Sequence, residues 1–274
     1  MAQRLDVDPR SRAFDELVGL IDGVPWMSRD QGWRVWEHFR TNRPVDVLDI
    51  GTCYGTSAAY MAGALRENGS GGRVVTVDSA LFDDQADVKI WCQALWEKCG
   101  LTDMIEPVRI THSNYAWWLA EQVRRQTGPD CVCEPLFDFV YLDGAKWLPL
   151  DGVSVVLIAT LLRPGGWLLM DDLDWRYANA GDGLPVVTQG ENAYPLSQKE
   201  IDTPHLRVVF DNVVRNHPSF TEFVDQGVWG WAKKGEQGAV KTVTKQEWVL
   251  PPGVSRLAAI RRAATAIIRG SGRH

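Results

Sequence analysis

Five short apolar runs, the first four each trailed by a stretch of helical spacing, govern how this sequence can fold. The runs lie at residues 45–50, 72–78, 107–113, 137–143 and 165–172, and helical patterns at 55–65, 87–99, 116–125 and 152–162 separate them. Strands joined through helices run parallel, because a parallel pair needs a crossover rather than a tight turn. The chain is therefore expected to be α/β and doubly wound, a mostly parallel sheet with helices on both faces. Ser28 and Gln31 read as a capping box ahead of an amphipathic helix that carries Trp33, Trp36 and Phe39. Residues 176–202 are irregular and rich in Gly, Pro and Asn, the pattern of a lid or binding loop. Thr203-Pro204 reads as a helix start, with Thr as the cap and Pro in first position. Leu206, Val209, Phe210, Val213 and Val214 follow at helical spacing, ahead of Pro218, and residues 220–234 read as a closing antiparallel hairpin.

This pattern assigns residues 1–250 to a single domain with a lid insertion at about 176–202. Residues 251–274 form a basic tail with five arginines, no acid, and an apolar stripe through Leu257, Ile260, Ala264, Ile267 and Ile268. Such a tail meets an anionic membrane surface or a partner subunit, or simply docks on its own domain. The formal net charge of −6 supplies no general basic field for nucleic acid. Charged residues such as Arg4, Asp6 and Asp8 interrupt any signal-peptide core, and no apolar run is long enough to span a membrane. Five cysteines without framework spacing point to reduced thiols and a cytoplasmic protein, and Cys131 and Cys133 make only a lone CxC. The thirteen tryptophans fit core or lid positions, and also a surface that grips a ring-shaped ligand.

In open α/β sheets ligands bind beyond the carboxyl ends of the strands, so the residues there carry the chemistry. The first strand ends in LDIGTCYGTS, with Asp49, Gly51, Thr52, Gly55 and Ser57. Its GxxxG spacing is neither the dinucleotide GxGxxG nor a Walker loop. The absent fingerprint argues against a nicotinamide-dependent oxidoreductase. Asp78 ends the second strand, where a carboxylate can accept both hydroxyls of a ribose. His112, Ser113 and Asn114 end the third, where an adenine edge would lie. Asp143 ends the fourth with Lys146 three residues on, and Asp171 and Asp172 end the fifth, with Asp174 nearby.

DIGTCYGTS, VTVDSA, FVYLDGAK and LLRPGGWLLMDD together resemble class I S-adenosylmethionine-dependent methyltransferases, over residues 26–234. The first motif is similar to that of the metal-dependent O-methyltransferases, both the catechol and caffeoyl-CoA type and the bacterial sugar type. The resemblance implies a Rossmann-like, seven-stranded sheet and S-adenosylmethionine as methyl donor. It implies that Asp49, Gly51 and Ser57 hold the methionine end, Asp78 the ribose and Ser113 the adenine, with Thr52, Gly55 and Asp143 also at the cofactor. Asp143, Asp171 and Asp172 would ligate Mg²⁺ or another divalent cation, and Lys146, with Asp143, would handle the acceptor proton. Three ionised carboxylates at one point need such a cation, and all-oxygen donors favour magnesium, calcium or manganese. Three acids would also raise the Lys146 pKa, which opposes its use as a base. The acceptor is expected to be a small-molecule hydroxyl. The DD pair and long lid favour a glycoside, whereas Lys146 favours a catechol-type phenol. Trp147, Trp175 and Tyr177 are candidate walls of the acceptor site, with His205 or His217 near the lid. A homodimer built on the N-terminal helices and the tail is a further implication. A non-catalytic binding or scaffold protein is the reading from another class.

Overall fold

The computed structural model describes residues 11–25, 27–79, 86–111, 113–180 and 196–236, with backbone alone at Ser79 and at 86–91. His112, most of the expected lid and the basic tail at 251–274 lie outside the described residues. Helices α1 (Arg12–Ile21) and α2 (Arg29–Asn42) lead into β1 (Asp46–Ile50), α3 (Thr56–Asn68), β2 (Arg73–Ser79) and α4 (Ala86–Lys98). Then come β3 (Ile105–Ile110), α5 (Tyr115–Gln126), β4 (Phe137–Leu142), α6 (Leu148–Leu161) and β5 (Leu162–Met170). Short helices α7 (Gln198–Asp202) and α8 (His205–Val209) precede the hairpin of β6 (Phe220–Asp225) and β7 (Gly230–Lys234).

The strands form one seven-stranded sheet in the order β3-β2-β1-β4-β5-β7-β6. β1 pairs in parallel with β2 on one side and with β4 on the other. β7 is antiparallel to both β5 and β6, so the expected Rossmann-like sheet with a C-terminal antiparallel hairpin is present. The central strands are buried on both faces, as parallel strands under crossover helices must be. One face packs Phe14, Trp36, Phe39, Met61, Trp96 and Trp229, and the other packs Leu48, Ile50, Val77, Val140, Ile158 and Phe210. Among the described residues Trp36, Trp96, Trp229 and Trp231 are buried in the core, and Trp117 is 63% exposed.

Where boundaries depart from the sequence reading, proline and glycine chemistry explains them. β3 begins at Ile105 and runs through Pro107, which an edge strand paired only to β2 tolerates. β5 starts at Leu162, ahead of Pro164, and its register against β4 slips between Phe137 and Phe139. Gly165 takes the left-handed turn of that bulge. Thr203 does not cap the helix that follows it. It closes α7 instead, its hydroxyl donating to the Lys199 carbonyl at 2.5 Å, while Pro204 occupies the cap of α8. α8 continues as a π-turn over Phe210–Val214 and stops short of Pro218. The Ser28–Gln31 capping box forms as expected; α1 is an element the sequence reading left unassigned, and α7, capped by Ser197 and Glu200, falls in the stretch read as irregular.

Candidate functional site

The strand order reverses at β1, which places the crevice between the carboxyl ends of β1 and β4. The ladders run one residue past each strand. Gly51 N donates to Val77 O at 2.9 Å, Asp143 N to Ile50 O at 2.9 Å, and Asp171 N to Leu142 O at 3.1 Å. The loop leaving β1 then alternates through left-handed backbone at Gly51, Cys53 and Gly55, with φ of 105°, 42° and 79°. A Cβ on Gly51 would lie 2.1 Å from the Asp143 carbonyl oxygen, so only glycine lets the two loops touch. Gly55 is pinned through its carbonyl, which accepts the Trp96 indole N–H at 3.0 Å.

Asp49 lies beneath this loop rather than on its surface. It is fully buried, and its carboxylate accepts from Ser57 Oγ at 3.1 and 3.2 Å and from Thr76 Oγ1 at 2.7 Å. Thr52 joins the network through a 2.7 Å contact with Thr76. Burial raises the Asp49 carboxyl from 3.8 to about 7 despite these donors. Asp78, at the end of β2, accepts the Cys53 N–H at 2.9 Å and so braces the strained turn. Ser113 stands half-buried just before Asn114, which caps α5 through the Trp117 N–H. Gly51, Thr52, Gly55 and Asp78 are thus gathered around one loop, with Ser113 beyond the neighbouring strand end.

Asp143, Lys146, Asp171 and Asp172 meet at the ends of β4 and β5, but not at one ligand point. The Lys146 ammonium lies 2.9 Å from Asp143 Oδ1 and 3.1 Å from Asp172 Oδ2, bridging the two carboxylates. Asp171 has partners of its own. It accepts the Tyr141 hydroxyl and, at 2.6 Å, the N–H of Asp172. Among the described residues no set of three His, Cys, Asp or Glu side chains is arranged around a metal position. Lys146 is the cationic group that faces Asp143 and Asp172, while Asp171 accepts a neutral O–H donor.

Burial works against the Lys146 ammonium, but Asp143 and Asp172 outweigh it and hold its pKa above the ordinary lysine value. Burial raises the Asp143 carboxyl against the pull of Lys146. Asp171 is pushed up to about 7 by burial first and by Asp143 second. Lys146 and Asp172 both have left-handed backbone, at φ 59° and 54°. Non-glycine residues held this way cost on the order of 1 kcal/mol each and cluster at functional sites. Asp174 is outside the cluster, exposed and paired with Arg207 at 3.1 Å.

Sequence reasoning missed Thr76, Tyr141, Tyr115 and Asp151. The first two had a signal, since each is a polar-tipped residue inside an apolar strand two positions before the terminal aspartate. His205 is buried, and its Nδ1 faces the Leu148 N–H at 3.3 Å. Its ring meets Tyr177 edge-on, and Tyr177 in turn meets Trp175. The root of the expected lid is thus tied to the Lys146 loop. His217 lies elsewhere, against Phe220.

Residues 48–173 match a family model described as a methyltransferase domain. The fold is similar to that of the O-methyltransferase from Bacillus cereus in complex with S-adenosylhomocysteine. That comparison gives 20% identity over 83% of this chain and 92% of that one, with a TM-score of 0.51. It is also similar to the S-adenosylhomocysteine-bound methyltransferase PaMTH1 of Podospora anserina, at 17% identity over 83% and 89% of the chains and a TM-score of 0.55. In sequence, 58 residues are 45% identical to the methyltransferase str2 of Strobilurus tenacellus; they make up 20% of this chain and 21% of that protein. The chain therefore spans about a fifth of the length of that curated relative. Residues 48–173 thus match a methyltransferase-domain model, within a sheet whose fold is similar to that of these solved O-methyltransferases.

Proposed function

We propose that this protein transfers a methyl group from S-adenosylmethionine to the hydroxyl of a small molecule. The observation that carries the reading is the direct contact of two devices, through Gly51 and the Asp143 carbonyl. One is the left-handed glycine loop, shaped to approach a ligand with its backbone. The other is the acid–lysine–acid corner.

In this reading Gly51, Thr52 and Gly55 line the methionine end, Asp78 the ribose and Ser113 the adenine. Asp49 acts from below by fixing Ser57 and Thr76. Asp143 and Lys146 receive the acceptor hydroxyl; its oxygen would take the sulfonium methyl, the methyl–sulfur bond breaking to leave S-adenosylhomocysteine, and its proton would pass to the Asp143–Lys146 pair. As placed, Lys146 is a hydrogen-bond donor; it becomes a base only when the field of Asp143 and Asp172 is relieved.

A divalent cation fits this corner in donor chemistry. Asp143 and Asp172 already face one cationic group, and Asp171 adds a third oxygen donor once it releases Tyr141. Bound there, it would supply Lewis acidity toward the acceptor hydroxyl. The DD pair and the length of the connection at 176–202 favour a glycoside acceptor. A catechol-type phenol is the second reading, favoured by Lys146.

Calorimetric titration with S-adenosylhomocysteine, then with Mg²⁺ before and after EDTA, tests the assignment. A panel of glycosides and catechols with labelled S-adenosylmethionine tests the acceptor. Cofactor binding with a separate metal event lost in Asp171→Ala supports the full reading. Cofactor binding without a metal event leaves methyl transfer to Asp143 and Lys146. Binding with no transfer to any probe favours a non-catalytic role, and no cofactor binding refutes the proposal.

A further inference from the structure

Two buried side chains hold the Lys146 loop from behind, and the proposed reaction gives neither of them a task. Tyr115 opens α5 and is 7% exposed; Asp151, in the first turn of α6, is fully buried. The Tyr115 hydroxyl donates to Asp151 Oδ1 at 2.6 Å and accepts the Ala145 N–H at 2.9 Å. Asp151 Oδ2 accepts the Trp147 N–H at 2.7 Å. The backbone amides on either side of Lys146 therefore both end on this one phenol–carboxylate pair. The fit is close, since a Cβ on Gly144 would lie 2.4 Å from the Tyr115 oxygen and 2.8 Å from Asp151 Oδ1.

Helix capping explains only part of this. The Asp151 bond to Trp147 N lies at the start of α6, but Ala145 precedes the helix and Tyr115 comes from another one. A left-handed non-glycine residue persists only where its surroundings over-determine it. The two flanking bonds do so for Lys146, whose φ is 59°.

We propose that Tyr115 and Asp151 are positioning residues for methyl transfer. They fix the Lys146 backbone in its left-handed conformation and so set its ammonium between Asp143 and Asp172. The kinetic part of this inference rests on the methyl-transfer reading; the structural part does not. Because Tyr115 follows Ser113 and Asn114, the same side chain also ties the proposed adenine edge to the acceptor corner.

Tyr115→Phe removes the hydroxyl and leaves the ring. Amide hydrogen exchange over residues 143–150 reports the clamp without any acceptor. Titration with S-adenosylhomocysteine reports the cofactor site, and turnover of catechol and methyl glucoside probes reports the chemistry. The expected result is protection at Ala145 and Trp147 reduced about tenfold or more, kcat lowered about tenfold to a hundredfold, and cofactor affinity within about twofold of wild type. Asp151→Asn keeps an acceptor for Trp147 and should fall between wild type and Tyr115→Phe. Wild-type protection at Ala145, or a lowered Tm with wild-type kcat well below that Tm, overturns the proposal. Should Tyr115→Phe fail to fold, Asp151→Asn decides, and wild-type exchange and kcat in that variant overturn it equally. If the wild type methylates neither probe, the reaction reading falls by itself, and the exchange data still decide whether the clamp exists.

Discussion

Asp143 makes three contacts of different kinds. Its carbonyl oxygen crowds Gly51, its N–H continues the β1–β4 ladder, and its carboxylate holds Lys146. Replacing it with Ala removes only the last of these. Asp143→Ala is expected to lower turnover by a factor on the order of a thousand while S-adenosylhomocysteine binding survives. Full activity in that variant would exclude the corner from catalysis. Gly51→Ala should instead fail to fold well, since the added Cβ meets backbone rather than a movable side chain.

Asp49 supplies a pH signature. Its folded pKa of about 7 exceeds the ordinary 3.8, so between those values the folded protein keeps a proton that the unfolded chain has lost. The Asp49 contribution to stability is therefore greatest in acid, declines as pH rises through that window, and levels off above it. At about 1.4 kcal/mol per pH unit, the difference between the ends of the window is on the order of 4 kcal/mol. Urea melts of wild type and Asp49→Asn across the window should show the variant with the flatter profile. Parallel profiles would show that Asp49 is ionised in the fold.

The charged members of the corner were legible because an aspartate ending an apolar run is conspicuous, and DGAK followed by DD has a family resemblance. The direction in which Asp171 points was not. It depends on Tyr141, its neighbour across the β4–β5 pair, and a partner across strands is invisible to one-dimensional spacing.

Among elements, α6 shows how packing fixes what periodicity only suggests. The sequence places this helix at 152–162, whereas it spans Leu148–Leu161. At its start Asp151 accepts from Trp147. At its end the buried Lys234 ammonium, from the last strand, donates to the carbonyls of Ala159 and Leu162 at 2.8 and 2.5 Å. A cation on the final carbonyls of a helix completes its orphan acceptors and suits its dipole. Lys234→Met keeps most of the volume but orphans both carbonyls, and is expected to cost about 1–3 kcal/mol. A thermal melt should show the loss with S-adenosylhomocysteine affinity unchanged; an unshifted melt would mean that water replaces the lysine. The Lys234 contact at the C-terminal end of α6 was not readable in advance, because Lys234 lies 75 residues from Ala159. By contrast, the Ser28–Gln31 box was readable from four consecutive residues, since both of its bonds are local.

For the whole molecule, the alternation of strands and helices was enough to foresee the parallel sheet and the closing hairpin, because handed crossovers admit few topologies. The site at the reversal of strand order follows from that topology. If it holds S-adenosylhomocysteine, ligand at about a hundred times its Kd should stabilise the protein by about 2.7 kcal/mol. Calorimetric or fluorescence melting would register this as a raised Tm, and no shift at that excess would argue against the site.

The connection that leaves β5 is fastened at both ends by bonds that do not involve its middle. Leu173 N donates to Val228 O at 2.9 Å as the chain departs, and His205 holds the Leu148 N–H where it returns. Both bonds are made by residues outside the stretch between Ala180 and Leu196, and the register of β5 against β7 is set by strand pairing. The framework therefore works as a socket. On the methyl-transfer reading, acceptor preference can be sought in this connection while the pairing of β5 with β7 is left as it is.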